Sequence, residues 1–398
     1  MNGSGSQTGR VRYSQPVTPG IPVVVELASF QGDSGVEEAH LTALPTQDAE
    51  FSVQLDWLRC AVEAAGLDSG SAVLRRFFCD DLPRQAPLLS ACPFSNGADG
   101  AGVFAASWVG QAPTAPARIA LWAYHIRDPR GGLQKTRHSG NLMLARGQLT
   151  HCWTVGMTAV DRQPVADETR AVFEAYEGWL RQRRMSLADH TVRTWVYLRD
   201  IDRDYGEMAA ARRSFFAERG LTPQTHYIAS TGIQGRSAVP AARVMLDAYA
   251  VGGLGPGQLE YLRAPDWLSP TDLYGVTFER AVAVRYQDRK QVFLSGTASI
   301  DAHGRVVHPG SLERQTERTL DNLAALLEKA GAVGADLCVL VAYLRQPEGE
   351  PLVRRAVRRR FGDVPTLVVI APICRTEWLV EIEGQALAAA RAAEHPAL

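Results

Sequence analysis

The sequence predicts an α+β protein made of tandem copies of one unit, each a mixed sheet with helices packed on one face. Three observations lead there: an order of strands and helices that occurs twice, amphipathic helices inside each copy, and a Tyr-Leu-Arg that sets the copies in register. In the last third, RAVAVRYQ and QVFLSGTASI read as strands, SLERQTERTLDNLAALLEKAG as a helix and DLCVLVAYLR as a strand. A helix around 351–361 and the strands TLVVIAP and WLVEIEGQALA follow. From residue 118 the same β-β-α-β-α-β-β order recurs, from RIALWAYHIR to ARVMLDAYAV, and Tyr197-Leu198-Arg199 aligns with Tyr343-Leu344-Arg345. VQLDWLRCAVEAAG followed by AVLRRFFCD is a shorter, earlier echo.

Each helix carries its own packing signal. Leu320, Leu323, Leu327 and Ala330 recur at helical spacing and give one apolar face to lay on a sheet. Two or three such units packed around a common centre make a pseudo-trimeric arrangement, with the clefts between them as candidate binding sites. The expected boundaries are a mobile tail over 1–20, rich in Gly, Ser, Gln, Thr and Pro, and an N-terminal partial unit over 21–117. A central unit over 118–258 and a C-terminal unit over 259–398 complete the chain.

Composition narrows the function. The 398 residues carry 42 basic and 43 acidic side chains, a net charge of -1, so no global field recruits nucleic acid or an anionic membrane. No window approaches 18 consecutive apolar residues, and MNGSGSQTGR lacks the basic and then apolar regions of a signal peptide, so a cytoplasmic protein is expected. The six cysteines form no CxxC pair and the nine histidines show no ligand spacing, which leaves no metal site to propose. There is no P-loop, no HExxH and no GxGxxG between a strand and a helix.

The last strand differs from the rest. In Trp378-Leu379-Val380-Glu381-Ile382-Glu383-Gly384, alternation puts Glu381 and Glu383 on one face. A solvent-facing strand with two glutamates is one reading; a working carboxylate is the other. The earlier copy places Met245 opposite Glu381 and Asp247 opposite Glu383, the pattern left by a single site in a duplicated chain, or by divergence alone. Cys374 and Arg375 lie in the turn leading into this strand, where a thiol, a cation and a carboxylate can bind an anion and move a proton. Packing for Cys374 and a surface ion pair for Arg375 are the plainer alternatives.

YLRAPDWLSPTDLYGVTFERAV (261–282), FLSGTASIDAHGRVVHPG (293–310), QTERTLDNLAALLEKAGA (315–332) and APICRTEWLVEIEG (371–384) resemble the chorismatase family, as do VRTWVYLRDIDRDY (192–205) and HYIASTGIQGR (226–236). The resemblance covers about residues 120–390, and SGTASID with the Cys-Arg turn is its most specific part. It implies units similar to the reactive-intermediate deaminases, one chain doing what three deaminase subunits do, hence a monomer. It also implies chorismate as the small-molecule substrate, Glu381 as the acid that protonates the enolpyruvyl methylene, and pyruvate as a product. Cys374 resembles the cysteine of the hydroxybenzoate-forming branch, which points to 3-hydroxybenzoate; a dihydroxycyclohexadienoate and 4-hydroxybenzoate are the alternatives. Arg375, Arg345, Arg193 and Tyr274 are candidates for holding substrate, although Arg345 and Arg193 suit structural roles equally well. Proton transfer alone suffices for this chemistry, so no cofactor is implied.

Two departures from the family pattern, Ala281 after Phe278-Glu279-Arg280 and Thr376-Glu377 in place of Pro-Gly, bear on product identity. The simpler deaminases hold a substrate carboxylate with an arginine where this chain has Leu367, which disfavours imine deamination. A binding module that kept the fold without the chemistry is the reading from outside enzymology.

Overall fold

The computed structural model describes residues 8–100, 102–160, 162 and 164–398. Three units follow one another, each built on six main strands and two longer helices in the same order. The first has β1 (Val11–Ser14), β2 (Val23–Gln31), β3 (Glu37–Pro45), α1 (Phe51–Ala64), β4 (Ala72–Cys79), α2 (Leu82–Ala91), β5 (Ala105–Val109) and β6 (Ile119–Arg127). The middle unit has β7 (Gln134–His138), β8 (Asn141–Arg146), β9 (Leu149–Met157), α3 (Val165–Arg181), β10 (Thr191–Leu198), α4 (Ile201–Ala217), β11 (Ala229–Gln234) and β12 (Val244–Gly252). The third has β13 (Leu259–Leu262), β14 (Ala281–Arg285), β15 (Arg289–Ala298), α5 (Leu312–Lys329), β16 (Leu337–Leu344), α6 (Glu350–Phe361), β17 (Thr366–Ile370) and β18 (Val380–Ala389).

The sheets share one topology. Their strand orders are β1-β2-β3-β6-β4-β5, β7-β8-β9-β12-β10-β11 and β13-β14-β15-β18-β16-β17, the last extended by Ala112–Pro113 from the connection between β5 and β6 of the first unit. In these sheets β4/β5, β10/β11 and β16/β17 are the parallel pairs among the described residues; each is joined through the second helix of its unit, as a parallel crossover requires.

These pairings correct two sequence expectations. Ile119–Arg127 is not the first strand of the central unit: it lies between β3 and β4 and completes the first sheet, so the earlier echo is a whole third copy. Alternation alone does not tell which sheet a strand joins, because strand partners are chosen by contacts distant in sequence. Of the expected tail, residues 1–7 lie outside the described residues, while Val11–Ser14 pairs antiparallel with β2 and places Val11 and Tyr13 against a buried cluster.

The strands β4, β10 and β16 are buried on both faces because helices cover one side of each sheet and the other side meets the common centre. That centre is aromatic. Trp122 of β6, Trp153 of β9, Trp195 of β10, Tyr249 of β12 and Phe293 of β15 meet in a chain of stacked, tilted and edge-on contacts with ring centroids 4.4–6.5 Å apart. No helix among the described residues is long and apolar enough to cross a membrane.

Candidate active site

Register maps the three last strands onto one another. Glu381 faces Tyr343, Met245 faces Tyr197 and Ala120 faces Phe78; two residues on, Glu383, Asp247 and Trp122 correspond. Neither face of β18 is a solvent face, and Glu381 and Glu383 are 5% and 3% exposed. Both turn inward to the junction between units, which removes the reading of a merely solvated acidic strand.

Glu381 lies in a small cavity between the middle and third units. The middle unit contributes Tyr205 and Arg212 from α4 and Ser230 and Gly232 from β11. Arg280, Gly296, Cys374 and Trp378 are among the residues of the third. No group among the described residues hydrogen-bonds the Glu381 carboxyl. Burial pushes its pKa up to about 8, helped by the charge of Glu383 and opposed by Arg193 and Arg280. The group is therefore an acid with a proton to give at neutral pH.

A β-bulge beside this acid joins the third unit to the middle one. Between Leu294 and Thr297 the register of β15 slips by one residue against β18, and Ser295-Gly296 turns toward β11. The Ser295 hydroxyl accepts from Ser230 N at 2.9 Å and donates to Glu279 O at 2.6 Å, and Gly296 N donates to Thr231 Oγ1 at 2.9 Å. The Ser-Gly-Thr of the sequence resemblance is thus the joint between two units, with a glycine where the acid needs the space.

Cys374 lines the same cavity as Glu381. Burial pushes its thiol up to about 12, the charge of Glu381 adds to this, and a hydrogen bond with Tyr205 and the charge of Arg375 oppose it. The sulfur is a protonated thiol, a proton donor rather than a nucleophilic thiolate. Tyr274 is a wall of the cavity. Arg375 stands behind that wall, over the rings of Tyr274 at 4.8 Å and Trp378 at 4.9 Å, and donates to Gly304 O.

The other two expected arginines stand elsewhere. Arg345 donates to Trp378 O at 3.0 Å, to Arg375 O at 3.2 Å, to Ile373 O and to Asp202, so it clamps the turn that carries Cys374. Arg193 is buried one layer behind Glu381 and pairs with Glu383 at 2.7 Å. The guanidinium groups that do line the cavity are Arg212 and Arg280, which sequence reasoning passed over. Arg212 donates to Thr277 Oγ1 and Ser230 Oγ at 3.2 and 3.3 Å, and Arg280 donates to Ser269 O through Nε and Nη2 at 3.2 and 2.9 Å. A signal for Arg212 existed: on α4 it falls on the buried stripe of Ile201, Met208 and Phe215, where an arginine has no packing reason to be.

Leu367 is buried and does not line this cavity. Its register equivalent in the adjoining unit is Thr231, next to Gly296. A wider cleft lies where the first unit meets β7, but the ammonium of Lys135 there is taken up by the carbonyls of Gly70 and Ala72 at 2.6 and 2.5 Å. Among the described residues no group of three or more His, Cys, Asp or Glu could hold a metal ion.

A family model described as endoribonuclease L-PSP matches residues 278–388, the span of the third unit from Phe278 through most of β18. Two curated proteins of Streptomyces hygroscopicus are similar to the chain. A 3-hydroxybenzoate synthase is 27% identical over 215 residues, 48% of this chain and 62% of the relative; a chorismatase is 30% identical over 214 residues, 48% and 60%. A solved chorismatase structure superposes with a TM-score of 0.60 at 22% identity and covers 80% of this chain and 93% of that one. The chain is similar to chorismatases in sequence over about half of its length, and to a solved chorismatase in fold. The chain spans about three fifths of the length of the curated chorismatase-family relatives it matches. The solved chorismatase shows the shared architecture of tandem L-PSP-like units, and the cavity with Glu381 lies at a junction between two of them.

Proposed function

We propose that this chain converts chorismate to pyruvate and 3-hydroxybenzoate. The observation that carries the reading is a buried carboxyl with no hydrogen-bond partner among the described residues, its pKa raised by burial, inside a cavity lined by two arginines. With Glu381 neutral, Arg212 and Arg280 leave the cavity with two positive charges, which match the two carboxylates of chorismate. Glu381 protonates the terminal methylene of the enolpyruvyl ether, and water adds to the resulting oxocarbenium ion to give a hemiketal. Collapse of the adduct breaks the ether and releases pyruvate. Loss of the C4 hydroxyl as water then gives the aromatic ring, so chorismate becomes pyruvate and hydroxybenzoate with no net water. The protonated Cys374 thiol, paired with Tyr205, is a donor suited to that departure.

The relative named 3-hydroxybenzoate synthase and the presence of Cys374 favour this product over the diol. The test is incubation of the purified protein with chorismate, with pyruvate and aromatic products followed by chromatography and Glu381→Gln as control. Pyruvate with 3-hydroxybenzoate, absent in the control, is the expected result; pyruvate with the dihydroxycyclohexadienoate assigns the chain to the hydrolytic branch, and no pyruvate overturns the reading.

A further inference from the structure

Glu383 lies on the same face as Glu381 but in a very different setting. Its Oε1 accepts from Trp195 Nε1 at 2.7 Å, and its Oε2 accepts from Arg193 Nη2 at 2.7 Å and from the hydroxyl of Thr231. All three donors belong to the middle unit. Glu381, on the same strand, has burial without a hydrogen bond. When two carboxylates share a buried face, the proton goes to the one whose anion is less well held.

We propose that Glu383 is a positioning residue: held as an anion by Arg193, Trp195 and Thr231, it directs the proton of the carboxylate pair onto Glu381. Arg193 thereby serves the site through Glu383 rather than by touching substrate. The other groups around Glu381 do not substitute for it. Arg280, before β14, and Arg193 both favour the anion of Glu381, and Arg212 and Tyr205 of α4, Tyr274, Cys374 and the cross-strand Tyr343 complete its surroundings. Glu383 is the anion among them that favours the protonated form.

The junction between the first and middle units supplies a comparison within the chain. Asp247, the counterpart of Glu383, accepts from Arg76 at 2.9 Å, Ser107 Oγ at 2.5 Å and Gly156 N at 2.7 Å. The residue two before it is Met245. Both junctions have a held anion, and only the one beside an acid has anything to tune. A purely structural role for Glu383 is therefore the rival account, and it makes a different prediction.

The inference rests on Glu381 being the working acid, but its test needs no substrate. Glutamate labelled with ¹³C at the side-chain carboxyl is incorporated into the full chain, and the two buried resonances are assigned by their loss in Glu381→Gln and Glu383→Gln. In the wild-type protein the Glu381 signal should titrate at alkaline pH while the Glu383 signal stays that of an anion through neutrality. In Glu383→Gln, Glu381 should become at least about ten times stronger as an acid, and the alkaline limb of turnover should move down with it while KM changes little. A folded Glu383→Gln protein with the Glu381 titration unmoved overturns the proposal. If that variant does not fold because Arg193 is left unpaired, the wild-type titration still decides: a proton on Glu383 at neutral pH overturns it. Failure to turn over chorismate, with both titrations as expected, would count against the proposed function alone.

Discussion

A Cβ built on Gly296 would stand 2.0 Å from Glu381 Oε1 and 3.0 Å from Thr231 Cγ2. The bulge in β15 and the acid on β18 are therefore fitted to each other, and alanine is the smallest change that separates them. Gly296→Ala should fold and lose about 100-fold in kcat, the usual cost of shifting a reacting group by about 1 Å. A circular dichroism spectrum like wild type together with unchanged kcat would mean that the carboxyl has room to move and that its place is not critical.

Turnover should depend on the acid form of Glu381. With its pKa up to about 8, kcat is expected to hold through neutral pH and fall about tenfold per pH unit above that value. Glu381→Gln should reduce turnover by about 10²–10⁴-fold at pH 7. An alkaline limb that persists in Glu381→Gln would assign it to another group.

The same group makes a stability prediction of definite sign. The folded state holds the Glu381 proton to about pH 8, the unfolded chain only to the ordinary 4.5. Between those values the folded state binds the extra proton, so stability falls as pH rises through the window and is lowest above it. Glu381→Gln does not titrate and should gain on the wild type as pH rises, by a few kcal/mol at pH 9 relative to pH 4. Urea midpoints at the two values measure this; a constant difference between the proteins would show that Glu381 has no raised pKa.

Replacing Arg212 or Arg280 removes a cation from the cavity. Each alanine variant should lower kcat/KM by about 10²–10³-fold, from loss of a charge-assisted contact of 2.5–4 kcal/mol on an order-of-magnitude basis. Lysine should restore only part of it, since an ammonium cannot reproduce a planar two-donor contact. Arg345→Ala is the contrast: it should loosen the turn over Ile373–Trp378 and lower the melting temperature before it affects KM. Equal KM effects for Arg345 and Arg212 would place the substrate differently from the proposal.

Cys374→Ala takes away a proton donor without touching Glu381. Pyruvate release should continue, and the product should shift from 3-hydroxybenzoate toward the dihydroxycyclohexadienoate. An unchanged ratio by chromatography leaves Cys374 as packing.

Much of this was legible in the chain. The repeated order of elements and the Tyr-Leu-Arg register led to the tandem α+β units, because helical and strand periods are local properties. Period-2 alternation put Glu381 and Glu383 on one face, and comparison of copies paired them with Met245 and Asp247, as the sheet register does. Proximity in sequence was a poor guide to the arginines. It selected Arg345, which holds the turn, and Arg193, which holds Glu383, and passed over Arg212, which reaches the cavity from a different unit.

The sequence by itself determined which elements form, how they repeat and which strand carries the acid, since these follow from side-chain period and chain order. Only the tertiary structure decided that Ile119–Arg127 completes the first sheet, that Glu381 loses water while Glu383 gains three donors, and that Arg212 and Arg280 converge on one cavity. The reason is physical: the ionisation of a carboxyl depends on burial and on the charges and donors nearest in space. In a chain whose site lies between two units, those neighbours include residues such as Arg193 and Arg280, more than a hundred positions from Glu381.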